Sequence, residues 1–489
     1  MKIPEFALEA LNKIAAHGYE AYFVGGAVRD LLMDKIANDW DLATSAHPEQ
    51  ILAIFPEAKY ENNFGTVILP VYNSSGDVLE ITTYRSEKGY DDRRHPSEVL
   101  FEDNIEADLH RRDFTINALA LTPATASSTG EKIVIDSCPY SLVDLFGGRQ
   151  DIEKRIVRAV GEPVDRFKED ALRLMRAIRF ACQLNFKLED KTGRGIVKMA
   201  GGLKFIAAER IRDELIKIIA SDQPETGIRM LEEYKLLQYI LPELLDGKDV
   251  KQHYHHIYPV LEHNLLSLKY CPSSKWPVRL AALLHDIGKP KAYKLIDGHP
   301  AFYNHEYIGA KLTEKIMKRL KFSSAEILQV VNLVRNHMFY YQVGEVTAAS
   351  VRRLIAKTGR DNLTDLIDLR IADRLGSGLK SAIPYKLRHL QYMMEKVQND
   401  PVSVKMLKIN GSDLMTELKM EPSPKMGAVL DVLLALVIEN PELNKRDYLL
   451  AEAKKLATQE MASLRDQAKE VIAEKQTETD KAMRRDFKV

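Results

Sequence analysis

Residues 22–44 read YFVGGAVRDLLMDKIANDWDLAT. Tyr22, Phe23 and Val24 form a short aromatic and β-branched run that two glycines end abruptly, the pattern of a buried strand running into a turn. Gly25 and Gly26 remove side chains where something bulky can approach the backbone. Asp39 and Asp41 then flank Trp40. On an extended segment residues i and i+2 share a face, so both carboxylates look the same way. Like charges so placed repel, and the arrangement persists mainly when a cation sits between them. Each half alone is common in ordinary turns and acidic loops. In this order, joined by Arg29 and Asp30, they suit a nucleoside triphosphate: backbone N–H groups and Arg29 for phosphates, the aspartates for magnesium.

A chain of 489 residues is too long for one core, and about three or four domains are expected. Its 70 Lys and Arg balance 70 Asp and Glu, so affinity for nucleic acid has to come from local basic surfaces rather than from net charge. Cys138, Cys182 and Cys271 are few and widely spaced, which argues against a disulfide framework and fits a reducing compartment. With no secretory leader pattern and no apolar run long enough to span a bilayer, a cytoplasmic protein without a membrane partner is expected.

Up to about residue 150, short β-rich runs alternate with helical ones. GTVILPVY and VLEITTYR read as strands joined by the turn NSSGD, and TASSTGEK as a polar loop before the strand IVIDS. RSEKGYDDRRHPSEVLFEDNIEADL reads as a charged loop. Beyond 151 strand signals nearly vanish and helical periodicity takes over. Boundaries are expected near DLFGGRQD, LLDGKDVKQ and VQNDPVS, and the tail from Leu456 reads as a solvated helix with little core of its own. The fold class is α+β: residues 1–150 form a head with a small mixed sheet, and the rest is helical.

Further residues carry chemistry. Glu80 in VLEITTYR either adds a third carboxylate beside Asp39 and Asp41 or ends its strand facing water. DLHRRDFTINALAL sets Arg111, Arg112, Asp113 and Thr115 before an apolar run. The guanidinium fork suits phosphate and a carboxylate suits a ribose hydroxyl, although Asp113 could equally cap a helix. VGEPVDRFKEDALRLMRAIRFA reads as the opening of a helix in which Asp170 and Arg173 are i, i+3 neighbours, with Arg176 and Arg179 continuing the stripe. Leu172, Met175 and Ile178 face inward. Three guanidinium groups then share one nearby carboxylate, a surplus that a polyanion or a base edge would complete.

GGAVRD, DWDLAT, RRDFTINA, DLFGGRQD and EDALRLMRAIRF, in that order, resemble the class II tRNA nucleotidyltransferases of the polymerase β superfamily, which comprise CCA-adding enzymes and bacterial poly(A) polymerases. The resemblance implies that the glycine pair Gly25–Gly26 and Arg29 hold the triphosphate and that Asp39 and Asp41 hold the catalytic magnesium ions. The role of Glu80 stays open between a third carboxylate of that site, which could also take the proton of an attacking hydroxyl, and a strand end facing water. It also implies that Arg112 binds nucleotide with Asp113 near the ribose. Asp170 and Arg173 would read the incoming base, with Arg176 and Arg179 as further nucleotide contacts. LKINGSDLM and KMGAVLDVLLALVIENPELN resemble the family's tRNA-binding body and tail.

The middle block differs. VRLAALLHDIGKP places His285 and Asp286 at the end of an apolar helix that Gly288 closes. His263 precedes them, and His305, His337 and Asp373 follow on later helical segments. Imidazoles and carboxylates gathered from separate helices make a ligand set for magnesium or a transition metal. The block resembles an HD-superfamily phosphohydrolase domain, and its extra histidines match the variant that carries two metals. His255, His256 and His299 have no such match and read as surface histidines.

The expected layout is a head (1–150), a helical neck recognising nucleotide and base (151–244), an HD domain (245–385) and a body and tail binding tRNA (386–489). The expected activity is template-independent addition of CCA to tRNA from CTP and ATP with magnesium, releasing pyrophosphate, with an HD phosphohydrolase activity beside it. The rivals are a relative adding only A or poly(A), an HD phosphohydrolase with a nucleotide-binding head, and a noncatalytic RNA-binding protein. The intact carboxylate pair weighs against the last two.

Overall fold

The computed structural model describes residues 3–37, 39–60, 65–71, 78–88, 98–125, 130–252, 257–339, 348–359, 362–378, 385–397, 400–461 and 463–464. The chain divides into two compact units, Met1–Pro242 and Glu243–Val489.

The first unit begins with an eight-stranded sheet in the order Lys59–Tyr60, Thr66–Pro70, Val78–Thr83, Asp41–Thr44, Ala21–Val24, Ala120–Pro123, Cys138–Val143, Glu131–Ile135. Two of its pairings position the carboxylates. Ala21–Val24 lies antiparallel to Asp41–Thr44 with Val24 opposite Asp41, and Asp41–Thr44 runs parallel to Val78–Thr83 with Asp41 opposite Glu80. Both faces are covered: Tyr22, Val24 and Ala43 pack with Ile105 and Leu109 of the helix Ile105–His110, while Phe23 meets Trp40 edge-on at 5.2 Å between ring centroids. That is why Phe23, Leu42 and Ile81 are fully buried in so short a set of strands.

GTVILPVY and VLEITTYR pair antiparallel as expected; their NSSGD turn lies outside the described residues. The charged segment after them is more than a loop. Arg85–Lys88 pairs with Glu98–Phe101, and Asn104 caps the helix Ile105–His110 by accepting from the Ala107 N–H.

The neck is helical except for the short parallel pair Ile156–Val157 and Lys187–Leu188. VGEPVDRFKEDALRLMRAIRFA is not one helix. Pro163–Glu169 ends at Asp170, whose backbone is extended (φ −140°, ψ 107°), and a second helix runs over Arg173–Leu184. Leu172, Met175 and Ile178 are buried as the apolar stripe requires.

In the second unit the helices Val260–Lys269, Trp276–Leu284, His305–Arg319, Ser324–Asn336 and Leu363–Gly376 carry or abut the six metal-type residues. Gly288 does not close a helix in the left-handed conformation; its φ is −79°. A side chain there would lie 2.1 Å from the His305 carbonyl oxygen and 2.5 Å from the Gly309 nitrogen, so glycine is needed for the backbones to approach. Between these helices stands a hairpin, Lys294–Ile296 with His299–Ala301, turned by Asp297 (φ 51°) and Gly298 (φ 79°). Asp-Gly with two positive φ angles is a preferred two-residue hairpin turn. Further on, Leu407, Leu414, Val429, Leu433 and Leu449 share a core with Leu456 and Leu464. The tail therefore has core contacts past Leu456, and residues from 465 on lie outside the described residues.

Candidate active site and metal centre

Gly25 takes φ 75° just after the strand Ala21–Val24 and precedes the helix Gly26–Leu32. A Cβ at Gly25 would stand 3.0 Å from an Arg112 guanidinium nitrogen and 3.6 Å from Asp41 Oδ2. The turn, the arginine and the carboxylate thus meet at one point. Asp39 is exposed, Trp40 buried and Asp41 half-buried, the alternation expected of an extended segment. Glu80, exposed and in register with Asp41, shares a sheet face with it. Burial first, then the charges of Glu80 and Asp39, push the Asp41 carboxyl up to about 6 against the opposing pull of Arg112. A buried-side carboxylate flanked by two others in this way is a fitting donor set for a hard divalent cation.

Arg112 and Arg111 both bind Asp108, which is fully buried: Arg111 donates to Oδ1 at 2.7 Å and Arg112 to Oδ2 at 2.9 Å. Asp108 stood inside DLHRRDF, and its i, i+3 and i, i+4 spacing to the arginines on a helix end was the available signal. Arg29 is buried over Gly26, held by Asp30 at 2.8 Å and by the Asn117 side-chain oxygen at 2.7 Å.

Asp113 is buried as well, and it does not cap a helix. It accepts from the Phe114 N–H at 2.8 Å, the Asn117 amide at 3.2 Å and Arg176 Nε at 2.7 Å. Burial alone would raise its pKa, but Arg176 and Arg173 outweigh it and hold the carboxyl down at about 2. A depressed pKa is stabilising above the unfolded value near 4 and is lost as pH falls through the folded value. Asp113→Asn is therefore expected to lower unfolding free energy by about 2 kcal/mol at pH 7. The deficit relative to the parent should shrink between pH 4 and pH 2, as followed by urea denaturation.

The neck arginines do not share one carboxylate. Arg173 pairs with Glu169 and donates to the Arg166 and Arg111 carbonyls. Arg176 pairs with Asp113, and Arg179 with the buried Glu214 at 3.3 Å. Asp170 pairs with Arg210, bidentate at 2.7 and 3.3 Å, and caps the Leu172 N–H. The expected Asp170–Arg173 pair fails because the helix breaks at Asp170, which removes the i, i+3 geometry. What the structure does gather is a set of guanidinium groups around the Phe180 ring: Arg29, Arg176 and Arg179 lie 5.4, 5.4 and 4.3 Å from its centroid. Asn117, Arg210, Glu214 and Phe180 were missed by sequence reasoning. The first and last sit inside quoted motifs, whereas Arg210 and Glu214 carried no signal linking them to the neck helix.

In the second unit all six residues converge. His263 Nε2 lies 3.0 Å from His285 Nε2, 3.2 Å from Asp286 Oδ2 and 3.3 Å from Asp373 Oδ1. The other oxygen of Asp286 lies 3.3 Å from His305 Nε2 and 3.7 Å from His337 Nε2. Asp286 thus straddles two groups, His263–His285–Asp286 and Asp286–His305–His337, all buried. Local structure aims the rings: Nδ1 of His285, His305 and His337 hydrogen-bonds the carbonyl three residues back, at 2.9, 2.8 and 2.7 Å. Nδ1 therefore donates, which turns Nε2 of each ring toward Asp286. Lys289, unremarked in HDIGKP, is buried with Nζ 2.6 Å from Asp286 Oδ2. Of the histidines read as superficial, His299 is exposed on its hairpin, and His255 and His256 lie outside the described residues.

Comparison with known proteins accords with this layout. Residues 21–158 match the family model of the poly A polymerase head domain, 185–247 that of a probable RNA and SrmB-binding site of polymerase A, and 264–377 that of the HD domain. The CCA-adding enzyme of Enterococcus faecalis is 32% identical over 463 residues, 92% of this chain and 95% of that protein. The Bacillus stearothermophilus CCA-adding enzyme, solved in complex with CTP, is 26% identical with a TM-score of 0.67, covering 93% of this chain and 98% of the other. That of Thermotoga maritima, solved with tRNA, has the same fold at 19% identity and a TM-score of 0.52, covering 92% and 94%. Similarity of this extent, running through head, neck and most of the second unit, places the chain in the family of CCA-adding enzymes.

Proposed function

We propose that the chain adds CCA to tRNA 3′ ends without a nucleic-acid template, using CTP and ATP and releasing pyrophosphate. The observation that carries this reading is the meeting of Gly25, Arg112, Asp41 and Glu80 across the interior strands of the sheet. The enzyme is metal-dependent, and we assign magnesium to Asp39 and Asp41. When bound there, magnesium would supply charge neutralisation at the attacking hydroxyl and the leaving phosphate oxygens. Arg29 and Arg112 hold the triphosphate, and the Gly25–Gly26 backbone lets it approach. Glu80 accepts the proton of the attacking 3′-hydroxyl. Asp170, Arg173, Arg176 and Arg179 contact the nucleotide from the neck, and residues 386–489 bind tRNA. The domain limits 1–150, 151–244, 245–385 and 386–489 are part of this reading. So is a cytoplasmic location, supported by three free cysteines; no described helix is long and apolar enough to cross a membrane. Incubation with tRNAs ending in the discriminator base, in C or in CC tests it: extension of all three to CCA is expected, and extension of the CC-ended tRNA alone would leave an A-adding enzyme.

A second reading concerns the HD residues, on the strength of the five buried ligand residues gathered around Asp286. Magnesium or a transition metal held there would polarise a phosphoester and lower the pKa of the bound water that attacks it. The expected result is hydrolysis of a phosphoester such as a 2′,3′-cyclic phosphate. His285→Ala should abolish that hydrolysis and lower bound metal, measured by elemental analysis, yet leave CCA addition within about twofold of the parent. An unchanged metal content would remove His285 from the ligand set.

A further inference from the structure

Asn117 stands at the end of the turn Thr115–Asn117 and is 6% exposed. The turn is anchored from outside itself: Thr115 Oγ1 donates to Asp151 at 2.6 Å and the Thr115 N–H to the Arg158 carbonyl at 2.9 Å. Its side chain bridges opposite charges, accepting from Arg29 at 2.7 Å and donating to Asp113 Oδ1 at 3.2 Å. A guanidinium can only donate and an ionised carboxylate can only accept, so these neighbours fix the orientation of the amide. Its backbone carbonyl also accepts from Arg112 at 3.4 Å, and the second oxygen of Asp113 takes Arg176. One hydrogen-bonded chain, Arg29–Asn117–Asp113–Arg176, therefore runs from the glycine turn to the neck helix.

We propose that Asn117 is a positioning residue for Arg29, holding that guanidinium toward the triphosphate and linking the phosphate-binding turn to the neck. Asp30 and Asn117 together engage three of the five N–H donors of Arg29. Asp30 is the adjacent residue in sequence and moves with the same helix, so it cannot fix the fork relative to the rest of the head. Asn117, 88 residues away in sequence, does. Neighbouring side chains would fail for separate reasons: aspartate sets a second carboxylate against Asp113, and leucine offers neither acceptor nor donor. A fork already oriented loses less freedom when phosphate binds.

The inference rests on Arg29 contacting the triphosphate, and the test separates the two claims. Steady-state incorporation into CC-ended and C-ended tRNA is measured for Asn117→Ala, Arg29→Ala and the double variant, with inhibition by inorganic pyrophosphate. Asn117→Ala is expected to raise KM for CTP and ATP alike by about tenfold and to weaken pyrophosphate inhibition by the same factor. KM for tRNA and kcat should stay within about threefold. The double variant should be no worse than Arg29→Ala alone, since the asparagine acts through the arginine. If Asn117→Ala does not fold, Asn117→Leu, which keeps the volume, serves in the same cycle. Unchanged KM in Asn117→Ala, or losses that multiply in the double variant, would overturn the role of Asn117 alone. An Arg29→Ala enzyme with unaltered KM and pyrophosphate inhibition would overturn the phosphate assignment and the positioning role together.

Discussion

Asp41→Asn is expected to cut nucleotide incorporation at least ~10³-fold, equivalent to about 4 kcal/mol of transition-state stabilisation, while tRNA affinity stays within about twofold. The asparagine keeps the size of the side chain and one oxygen, so what is lost is charge. Asp41 is where loss of charge matters most: it is the half-buried member of the carboxylate group, in register with Glu80 and against Gly25. tRNA affinity, which the proposed reading assigns to many phosphate contacts of residues 386–489, should not depend on it. Stability supplies an independent check. Burial and the charges of Glu80 and Asp39 raise the Asp41 pKa to about 6. A raised acid pKa means stability that is full below the unfolded value and lost as pH rises through the folded one. In chelator at pH 7.5 the asparagine variant should therefore melt no lower than the parent. Inactivity together with a lower melting temperature would point to damage of the sheet instead, and normal incorporation of labelled CTP would remove Asp41 from the metal site.

The parts legible in the sequence are those in which neighbours along the chain are also neighbours in space. The glycine turn and the alternation of Asp39, Trp40 and Asp41 follow from strand period, and strand pairing alone brings Glu80 into register. The HD residues were legible for a different reason: a buried cluster of imidazoles and carboxylates has few uses, and all six converge. What periodicity could not give was the partner of each arginine. Arg176 finds Asp113 at a separation of 63 residues, Arg210 finds Asp170 at 40 and Arg179 finds Glu214 at 35. Those pairings depend on how helices pack, and no local spacing encodes them. The break at Asp170 misled in the same direction, because a run of good helix formers hides an interruption that a tertiary salt bridge stabilises. The hairpin at Asp297 and Gly298 was a different failure. Its Asp-Gly signal was present in the sequence and was outweighed by the helical pattern on either side.

Asp170→Ala is expected to raise incorporation of UTP and GTP relative to CTP and ATP by roughly tenfold or more, the equivalent of ~1–3 kcal/mol per unpaired polar group. Cytosine presents an amino group beside a ring-nitrogen acceptor, and adenine does the same at C6 and N1. One acceptor and one donor on the protein therefore serve both. Uracil and guanine place a carbonyl where the amino group should be, opposite a carboxylate that cannot donate. Because Asp170 and Arg173 do not pair with each other, neither is neutralised by the other and each is held by its own partner: Arg210 for the carboxylate, Glu169 and two backbone carbonyls for the guanidinium. A carboxylate oriented from behind by a bidentate arginine keeps lone pairs for a second donor, which is what an amino group needs. Arg210→Ala leaves that carboxylate in place but unrestrained, so it should relax selection less than Asp170→Ala and raise KM for CTP and ATP more evenly. Relative incorporation efficiencies of the four nucleotides on one CC-ended and one C-ended tRNA decide the matter. If Asp170→Ala keeps the parent's preference for C and A, the residue serves only to anchor Arg210 between two neck helices, and base selection belongs to Arg173, Arg176 or Arg179.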